Sequence, residues 1–366
     1  MNFLAGLDNA ILLLLIVVPL SGAILTMMMP GNRPRDVWYF AVIVAVVSFV
    51  LSVWTFIRYD YGAGGFQFLQ SYDWLDSPVH ITLSLGVDGI AAPLILLNGI
   101  ILLGGVLISQ NIQYRNRDFF VLLLALGAGV YGTFVVRDLF FLFFFYELAV
   151  LPMYLLIGVW GSSTDFGTFL RTKEYGAMKL FLYLVAGSVL VWIAILAMYV
   201  ASADLGFPTF SLERMGQLAA SGQYDAGFQV WVFPMFMVGF GVLAGLWPFH
   251  TWSPDGHVAA PTAVSMLHAG VLMKLGAYGI IRVGMVLLPE GAAQWMPVLI
   301  TLGTVNVLYG AVSAMSQTDL KYVIGYSSVS HMGYVLMGIA TLDRIGVAGA
   351  VLQLSLIHIS EPTRPY

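Results

Sequence analysis

The sequence contains a series of uninterrupted apolar runs, each long enough to cross a lipid bilayer. A transmembrane helix needs ~20 apolar residues to span ~30 Å of hydrocarbon. Lipid offers the backbone no hydrogen bonds, and the runs are apolar on every side instead of alternating, so each is predicted to be a helix and not a barrel strand. The sequence therefore predicts an all-α polytopic membrane protein. The complete runs lie at about 10–29, 37–57, 86–109, 119–136, 139–160, 177–201, 229–249, 261–287, 293–315 and 319–341.

The composition excludes several classes of function. Only 9% of the residues are charged, too few to cover a water-facing surface, since soluble domains carry about 25%. The net charge of −4 gives no basis for a nucleic-acid partner. Cysteine is absent, so this chain can form no thiolate metal site and no cysteine-ligated iron–sulfur cluster. If the protein takes part in redox chemistry, the redox centres are expected on other subunits.

The N-terminus lacks a basic segment and a cleavage site, so residues 10–29 are predicted to be a retained helix. Lysine and arginine mark the cytoplasmic loops of membrane proteins. With the N-terminus on the outer face, the inner loops hold more basic residues than the outer loops, and this orientation is the one predicted. The inner set is Arg33, Arg35, Arg115, Arg117, Arg171 and Lys173, and the outer set is Arg58, Arg137 and Arg214.

Four ionisable residues lie inside the apolar runs, where a charge costs about 2.5–3.5 kcal/mol on insertion scales. Glu147 lies in the middle of the fifth run, and no basic residue stands beside it at helical spacing. Pro152 is expected to leave the carbonyl of Leu148 without its helical bond, one residue from this carboxylate. The pattern favours a proton-carrying carboxylate, with a structural ion pair as the alternative.

The other three candidates are basic. Lys179 lies in the first third of the sixth run, where its side chain can also reach the interface. Lys274 lies near the centre of the eighth run, where burial disfavours the charged amine and so favours proton exchange. His331 follows three serines in the tenth run, whose hydroxyls can hold water. A structural histidine is the alternative for His331.

The seventh run, MVGFGVLAGLWPFHTW, is predicted to be a broken helix. Gly239, Gly241, Gly245 and Pro248 disfavour a continuous helix, and Pro248 disturbs the carbonyl of Ala244. Broken helices at membrane depth tend to line ion or substrate routes, with a kinked structural helix as the alternative. The segment that follows contains histidines and an aspartate, but their spacing matches no zinc motif, so no metal site is predicted there.

Five long motifs carry a resemblance to a known family. Together they resemble the antiporter-like M subunits of proton-pumping NADH–quinone oxidoreductase (respiratory complex I), whose mitochondrial counterpart is NADH dehydrogenase subunit 4. The resemblance covers about residues 1–353, and similar chains occur in multisubunit cation/proton antiporters and membrane-bound hydrogenases. The motifs are GVDGIAAPLILL (86–97), FYELAVLPMYLLIGVWG (145–161), KLFLYLVAGS (179–188), WPFHTWSPDGHVAAPTAVSMLHAGVLMKLGAYGIIR (247–282) and DLKYVIGYSSVSHMGYVLMG (319–338).

The resemblance implies an antiporter-like fold with inverted five-helix repeats, each containing a broken helix. N-terminal transmembrane helices are expected over 1–117, the first repeat with a proton half-route over 118–288, and the start of a truncated second repeat over 289–353. The FMN, the iron–sulfur clusters and the quinone are expected on partner subunits, and no cofactor is expected on this chain. The family's proton-transfer residues fall on Glu147, Lys179, Lys274 and His331.

The chain departs from the family in two places. Alignment on WPFHTW puts Leu243 where the family usually has a lysine that pairs with the fifth-helix glutamate. Glu147 is then expected to rest protonated, unless another cation substitutes. The family's eleventh-helix histidine would fall at Ile357, and the ionisable residue of the second broken helix is absent from the sequence. The chain is expected to carry the uptake half of a route and not to pump alone.

The last residues, LSLIHISEPTRPY, look foreign to the protein. They resemble the translation of a sequencing-library adapter fused to an interrupted reading frame, so residues 354–366 are expected not to be biological. A natural short C-terminus is the alternative. His358 is accordingly not counted as a functional residue.

The sequence as a whole predicts a proton-translocating subunit of NADH–quinone oxidoreductase in the bacterial cytoplasmic (inner) membrane. Its partners would be neighbouring antiporter-like and other membrane subunits, protons and lipid. NADH oxidation and quinone reduction elsewhere would drive stepwise proton transfer through the four groups and intervening water. One alternative is a subunit of a cation/proton antiporter or a membrane-bound hydrogenase. The other is a non-conducting scaffold, which Leu243 favours.

Overall fold

The computed structural model of the chain describes residues 8, 10–75, 81–165 and 170–360. The side chains of 165 and of 355–360 are outside that description. The predictions on Ile357 and His358, and the part of the tail from 361, therefore fall outside the described residues and side chains.

The described chain is mostly helical, and ten of its helical segments are long and apolar enough to cross a membrane, as predicted. An eleventh, shorter apolar helix follows them. The α-helices are α1 (Ile11–Met28), α2 (Pro34–Arg58), α3 (Ala91–Ile108), α4 (Asn116–Val135), α5 (Leu139–Trp160), α6 (Lys173–Asp204), α7 (Leu212–Ala220), α8 (Ala226–Ala244), α9 (Trp252–Ala259), α10 (Thr262–Leu267), α11 (Met273–Gly279), α12 (Pro289–Met315), α13 (Leu320–Ala340) and α14 (Arg344–Ser360).

Side-chain caps explain where several of these helices begin. The first amides of a helix have no partner within the helix, and a polar side chain just before them can accept their hydrogen bonds. Asp138 accepts from the Phe140 amide at the start of α5, and Thr172 accepts from the Tyr175 amide at the start of α6. The short polar connections that separate the apolar runs thus define the ends of the spans.

The described connections also contain β-structure, which the sequence analysis did not anticipate. Strand β1 (Gln67–Leu75) pairs antiparallel with β2 (Ile81–Val87), with Tyr72 opposite Leu83. A second, two-residue pair joins β3 (Thr164–Asp165) to β4 (Leu170–Arg171). These strands lie outside the ten spans, so the spanning part stays helical.

The chain divides into two compact units. Of the described residues, the N-terminal unit contains those up to 75, 81–162 and 260–271, and the C-terminal unit contains 163–165, 170–259 and 272–360. In the N-terminal unit, α4 packs against α1, α3 and α5. The α4–α5 approach is close, since a Cβ placed on Gly129 would lie 2.7 Å from the Ala149 amide nitrogen.

The C-terminal unit is built around α8. This helix packs against α6, α11 and α12, while α13 packs against α9, α12 and α14. Two π-helical stretches, His268–Leu272 and Ile280–Met285, flank α11. π-Turns leave the regular i→i−4 ladder and occur often at functional sites.

Candidate functional site

The seventh apolar run is broken in the structure, as the glycines and proline predicted. Helix α8 ends at Ala244, and Gly245 follows in the left-handed region at φ 75°. Gly245 suits this position because it has no Cβ to clash. The Leu246 amide then donates 2.8 Å back to the Gly241 carbonyl, which closes the helix end. The chain becomes helical again with the 3₁₀ turn Phe249–Thr251 and α9.

Asn306 on α12 satisfies the backbone groups that this break releases. Its Oδ1 accepts from the Trp247 amide at 2.7 Å, and its Nδ2 donates to the Gly245 carbonyl at 3.0 Å. Nδ2 also lies 3.2 Å from the Val329 carbonyl on α13. The side chain is fully buried. Non-helical backbone at membrane depth is tolerated only where such groups find partners, and here one side chain supplies them.

Lys274 lies in the short helix α11, and its side chain is 0% exposed. α11 packs directly on the end of α8, since a Cβ on Gly276 would lie 2.6 Å from the Ala244 amide nitrogen. α11 also contacts α13, the helix that contains His331. A lysine amine in this position cannot reach water by extending its side chain. Its charged form therefore depends on the polar groups and water within the protein.

Lys179 has a defined partner, the carboxylate of Asp255 on α9. The Lys179 Nζ donates to Asp255 Oδ2 at 2.8 Å. The Arg171 guanidinium donates to Oδ1, and the Tyr322 hydroxyl on α13 donates to the same oxygen at 3.1 Å. Asp255 is only 5% exposed. Burial acts to lower the pKa of Arg171, but the charge of Asp255 and the interactions with Tyr322 together outweigh it, and the pKa is raised.

Glu147 lies on α5 and belongs to the N-terminal unit. The other three predicted residues belong to the C-terminal unit. Its side chain is half-buried, and α5 continues as helix through Pro152. Leu243, at the position of the family's lysine, is fully buried at the end of α8.

His331 on α13 forms a contact with α14. Its Nδ1 lies 3.1 Å from Nε2 of Gln353. The Ser328 and Ser330 hydroxyls donate to the backbone carbonyls of Ile324 and Val307, at 3.1 and 3.0 Å. These bonds use the donors of both hydroxyls and leave their oxygens as acceptors.

Sequence reasoning missed Asp255 and Asn306. Asp255 appeared only as a rejected metal ligand, although it is a carboxylate in an apolar segment without a basic residue at helical spacing, the criterion that selected Glu147. Asn306 is the one asparagine of the ninth apolar run. Histidines 250, 257 and 268 are also buried. In the part of the chain that the structure describes, no three histidine, aspartate or glutamate side chains are arranged to hold a metal.

A series of ten apolar helices that includes a broken helix defines a polytopic membrane protein. Comparison with known families makes the assignment specific. Residues 136–360 match the family model described as NADH:quinone oxidoreductase/Mrp antiporter, transmembrane. The chain belongs to this family.

Among curated relatives, the chain is 40% identical over 342 residues to NAD(P)H-quinone oxidoreductase chain 4 3 of Picosynechococcus sp., covering 93% of this chain and 59% of the relative. It is 38% identical over 346 residues to chain 4 2 of Thermosynechococcus vestitus, covering 94% and 62%. These names support the subunit 4/M type that the sequence predicted. The chain spans about three fifths of the length of these relatives.

Solved structures give the same fold. The structure resembles a chain of respiratory complex I from Thermus thermophilus with bound NADH, with a TM-score of 0.81 and 26% identity, covering 94% of this chain and 68% of that one. It also resembles a chain of the Mrp complex from Dietzia sp., with a TM-score of 0.79 and 22% identity, covering 94% and 36%. The second likeness concerns the fold alone. The antiporter-like fold predicted from the sequence is confirmed.

Proposed function

We propose that this chain is an antiporter-like proton-translocating subunit of the M or 4 type in an NADH–quinone oxidoreductase. The single observation that carries the proposal is the fully buried amine of Lys274, packed with its helix against the end of the broken helix. A charge at this depth is costly and usually belongs to an ion route. Family membership and the names of the relatives support the choice of complex.

In this proposal protons move stepwise through Glu147, Lys179, Lys274 and His331 with intervening water. Redox chemistry on partner subunits, which would hold the FMN, the iron–sulfur clusters and the quinone, supplies the drive. Moving one charge against 100 mV requires about 2.3 kcal/mol. The neighbouring partners would be other membrane subunits, including antiporter-like ones, in a bacterial cytoplasmic membrane with the N-terminus of this chain on the outer face.

The test is Lys274→Ala in the full-length protein within its complex, reconstituted in vesicles. The protons transported per electron are measured with a pH-sensitive dye during quinone reduction. We expect the ratio to fall by the share of this subunit, because its route loses a proton-transfer group while the neighbouring antiporter-like subunits keep theirs. Arg214→Ala, on the exposed face of α7, is the matched control for loss of a basic residue. An unchanged stoichiometry in Lys274→Ala would refute the proposal.

A cation/proton antiporter is the second candidate, because the matching family also includes Mrp antiporters. Sodium or potassium transport by the intact assembly, without any quinone reduction, would distinguish this candidate from the first. Neighbouring genes give an independent discrimination, since quinone-reductase subunits favour the first candidate and small antiporter subunits favour the second.

A further inference from the structure

The cluster around Asp255 joins four separate parts of the C-terminal unit. Asp255 is on α9, Lys179 on α6, Tyr322 on α13 and Arg171 at the end of β4. All three partners donate to the one carboxylate, and Arg171 also donates to the Tyr322 hydroxyl at 3.2 Å. The Asp255 side chain is 5% exposed, that of Lys179 19% and that of Arg171 37%, so a buried carboxylate is held by two partly exposed cations.

Two cations bind the same carboxylate, with Lys179 at Asp255 Oδ2 and Arg171 at Oδ1. An arginine does not release its proton in proteins, whereas a lysine amine can exchange its proton. Of the two cations, Lys179 is therefore the one that can exchange a proton.

A second polar contact joins α6 to the turn that precedes α9, about one helical turn away from the Lys179–Asp255 contact. The Thr251 hydroxyl donates to the Tyr183 hydroxyl at 3.2 Å. Tyr183 is four residues after Lys179, and Thr251 is four residues before Asp255, so each step is about one turn, or ~5.4 Å. Hydroxyls both donate and accept, and can pass a proton along. Thr251 ends the turn that follows the break of α8.

We propose that these two contacts, Lys179–Asp255 and Tyr183–Thr251, form a two-step proton-uptake ladder that leads from the end of β4 to the broken helix. Lys179 takes a proton from water and becomes an ammonium ion bound to Asp255. It then returns to the neutral amine as its proton passes, through one water, to the hydroxyls of Tyr183 and Thr251. Each hydroxyl releases its own proton as it accepts one, and the last proton passes to water at the broken helix. Arg171 and Tyr322 are positioning residues that hold the carboxylate. The inference rests on the proposed function and adds Asp255, Tyr183 and Thr251 to it.

The test compares variants of the full-length protein in its complex, reconstituted in vesicles. Lys179→Arg is the decisive one, because it keeps the positive charge and the pairing with Asp255 but cannot release a proton. We expect it to lower the protons transported per electron by the same amount as Lys274→Ala, because both would stop the route through this chain. Asp255→Asn should give a comparable loss, and Tyr183→Phe a smaller one.

Two conservative variants serve as controls. Tyr199→Phe removes a hydroxyl from the same helix α6, at a ring that stacks on Phe210. Asp225→Asn neutralises an aspartate that caps α8, and asparagine caps a helix equally well. Both should transport protons as the unsubstituted complex does. Assembly is checked by the rate of quinone reduction in each variant, so that Lys179→Arg remains informative if Asp255→Asn fails to assemble.

Three outcomes separate the ladder from the proposed function. A loss in Lys179→Arg, together with a loss in Lys274→Ala, supports the ladder. If Lys274→Ala is impaired while Lys179→Arg transports like the controls, then Lys179–Asp255 is a structural ion pair and the ladder is overturned. The proposed function then stands on Lys274, with Lys179 removed from its route. If Lys274→Ala transports normally, the proposed function fails and the ladder fails with it.

Discussion

Replacing Asn306 with leucine tests whether one side chain holds the broken helix together. Leucine has nearly the size of asparagine but offers no hydrogen bond. The substitution would remove the bonds to the Trp247 amide, the Gly245 carbonyl and the Val329 carbonyl. Val329 lies within α13, where a carbonyl also has a helical partner. The Trp247 amide and the Gly245 carbonyl make no other hydrogen bond among the described residues.

The expected loss of stability follows from the Trp247 amide and the Gly245 carbonyl. A buried donor or acceptor left without a partner costs about 1–3 kcal/mol, which gives about 2–6 kcal/mol for the pair. Hydrogen bonds between membrane helices average only ~0.6 kcal/mol each, which gives ~2 kcal/mol for the three bonds. The second figure is low because the polar groups of the unfolded state in the membrane also find hydrogen-bond partners. We therefore expect Asn306→Leu to lower the free energy of unfolding by about 2–4 kcal/mol.

The assay is the unfolding of the purified full-length protein by dodecyl sulfate in mixed micelles, followed by tryptophan fluorescence. Thr304→Val is the matched control, because Thr304 is exposed on the same helix and its hydroxyl donates only to the Ile300 carbonyl of that helix. The control should change the free energy of unfolding by less than ~0.5 kcal/mol. If Asn306→Leu loses no more than the control does, Asn306 does not stabilise the break.

Two further predictions concern packing and pH. Gly276→Ala should destabilise the protein by about 1–3 kcal/mol, because the new methyl group would meet the Ala244 backbone nitrogen at 2.6 Å. Gly216→Ala is the control, because its methyl group would lie 3.6 Å from Val286, an ordinary contact distance. This variant should be neutral or stabilising in the same unfolding assay. Burial raises the pKa of Asp138 from 3.8 to about 7, so the folded state binds the extra proton and stability should fall as the pH rises through that interval. Asp138→Asn should keep the cap of α5 and lose that pH dependence, and an unfolding midpoint that still falls between pH 4 and pH 7 would contradict this assignment.

The spans were predictable because each is a local property of the chain. Any run of apolar residues long enough to cross the bilayer must satisfy its own backbone, and the helix is the structure that does so within one segment. The fifth run was predicted at 139–160, and α5 has the same bounds. The break after α8 was predictable for a similar reason, since Gly245 and Pro248 act on the backbone within one turn.

The β1–β2 hairpin was not predicted. Residues 58–85 contain no long apolar run like those of the spans, and strand pairing depends on a partner segment elsewhere in the chain. β2 ends with the buried residues Leu85 and Val87, and the Ser84 carbonyl accepts from the Arg137 amide at 2.8 Å. These contacts join residues about fifty positions apart, so no local pattern in the sequence announces them.

The candidate site also has residues that the sequence identified and a partner that only the structure identified. Lys179 and Lys274 were identified because a charge in an apolar run is visible in the sequence. The partner of Lys179 was not, because Asp255 is 76 residues away and had been considered only as a metal ligand. The assignment of Glu147, Lys179, Lys274 and His331 to proton transfer stays a prediction, which the variants described above test.

The sequence by itself determined that this chain is a bundle of membrane-spanning helices, that the seventh run is broken, and that a few ionisable groups lie at membrane depth. These properties follow from the hydrophobicity of single segments and from the backbone chemistry of glycine and proline. Only the tertiary structure decided which groups meet: Asp255 with Lys179, Arg171 and Tyr322, and Asn306 with the broken helix. Such pairings depend on how helices far apart in the chain pack, and hydrophobicity carries no information about which polar side chains face each other.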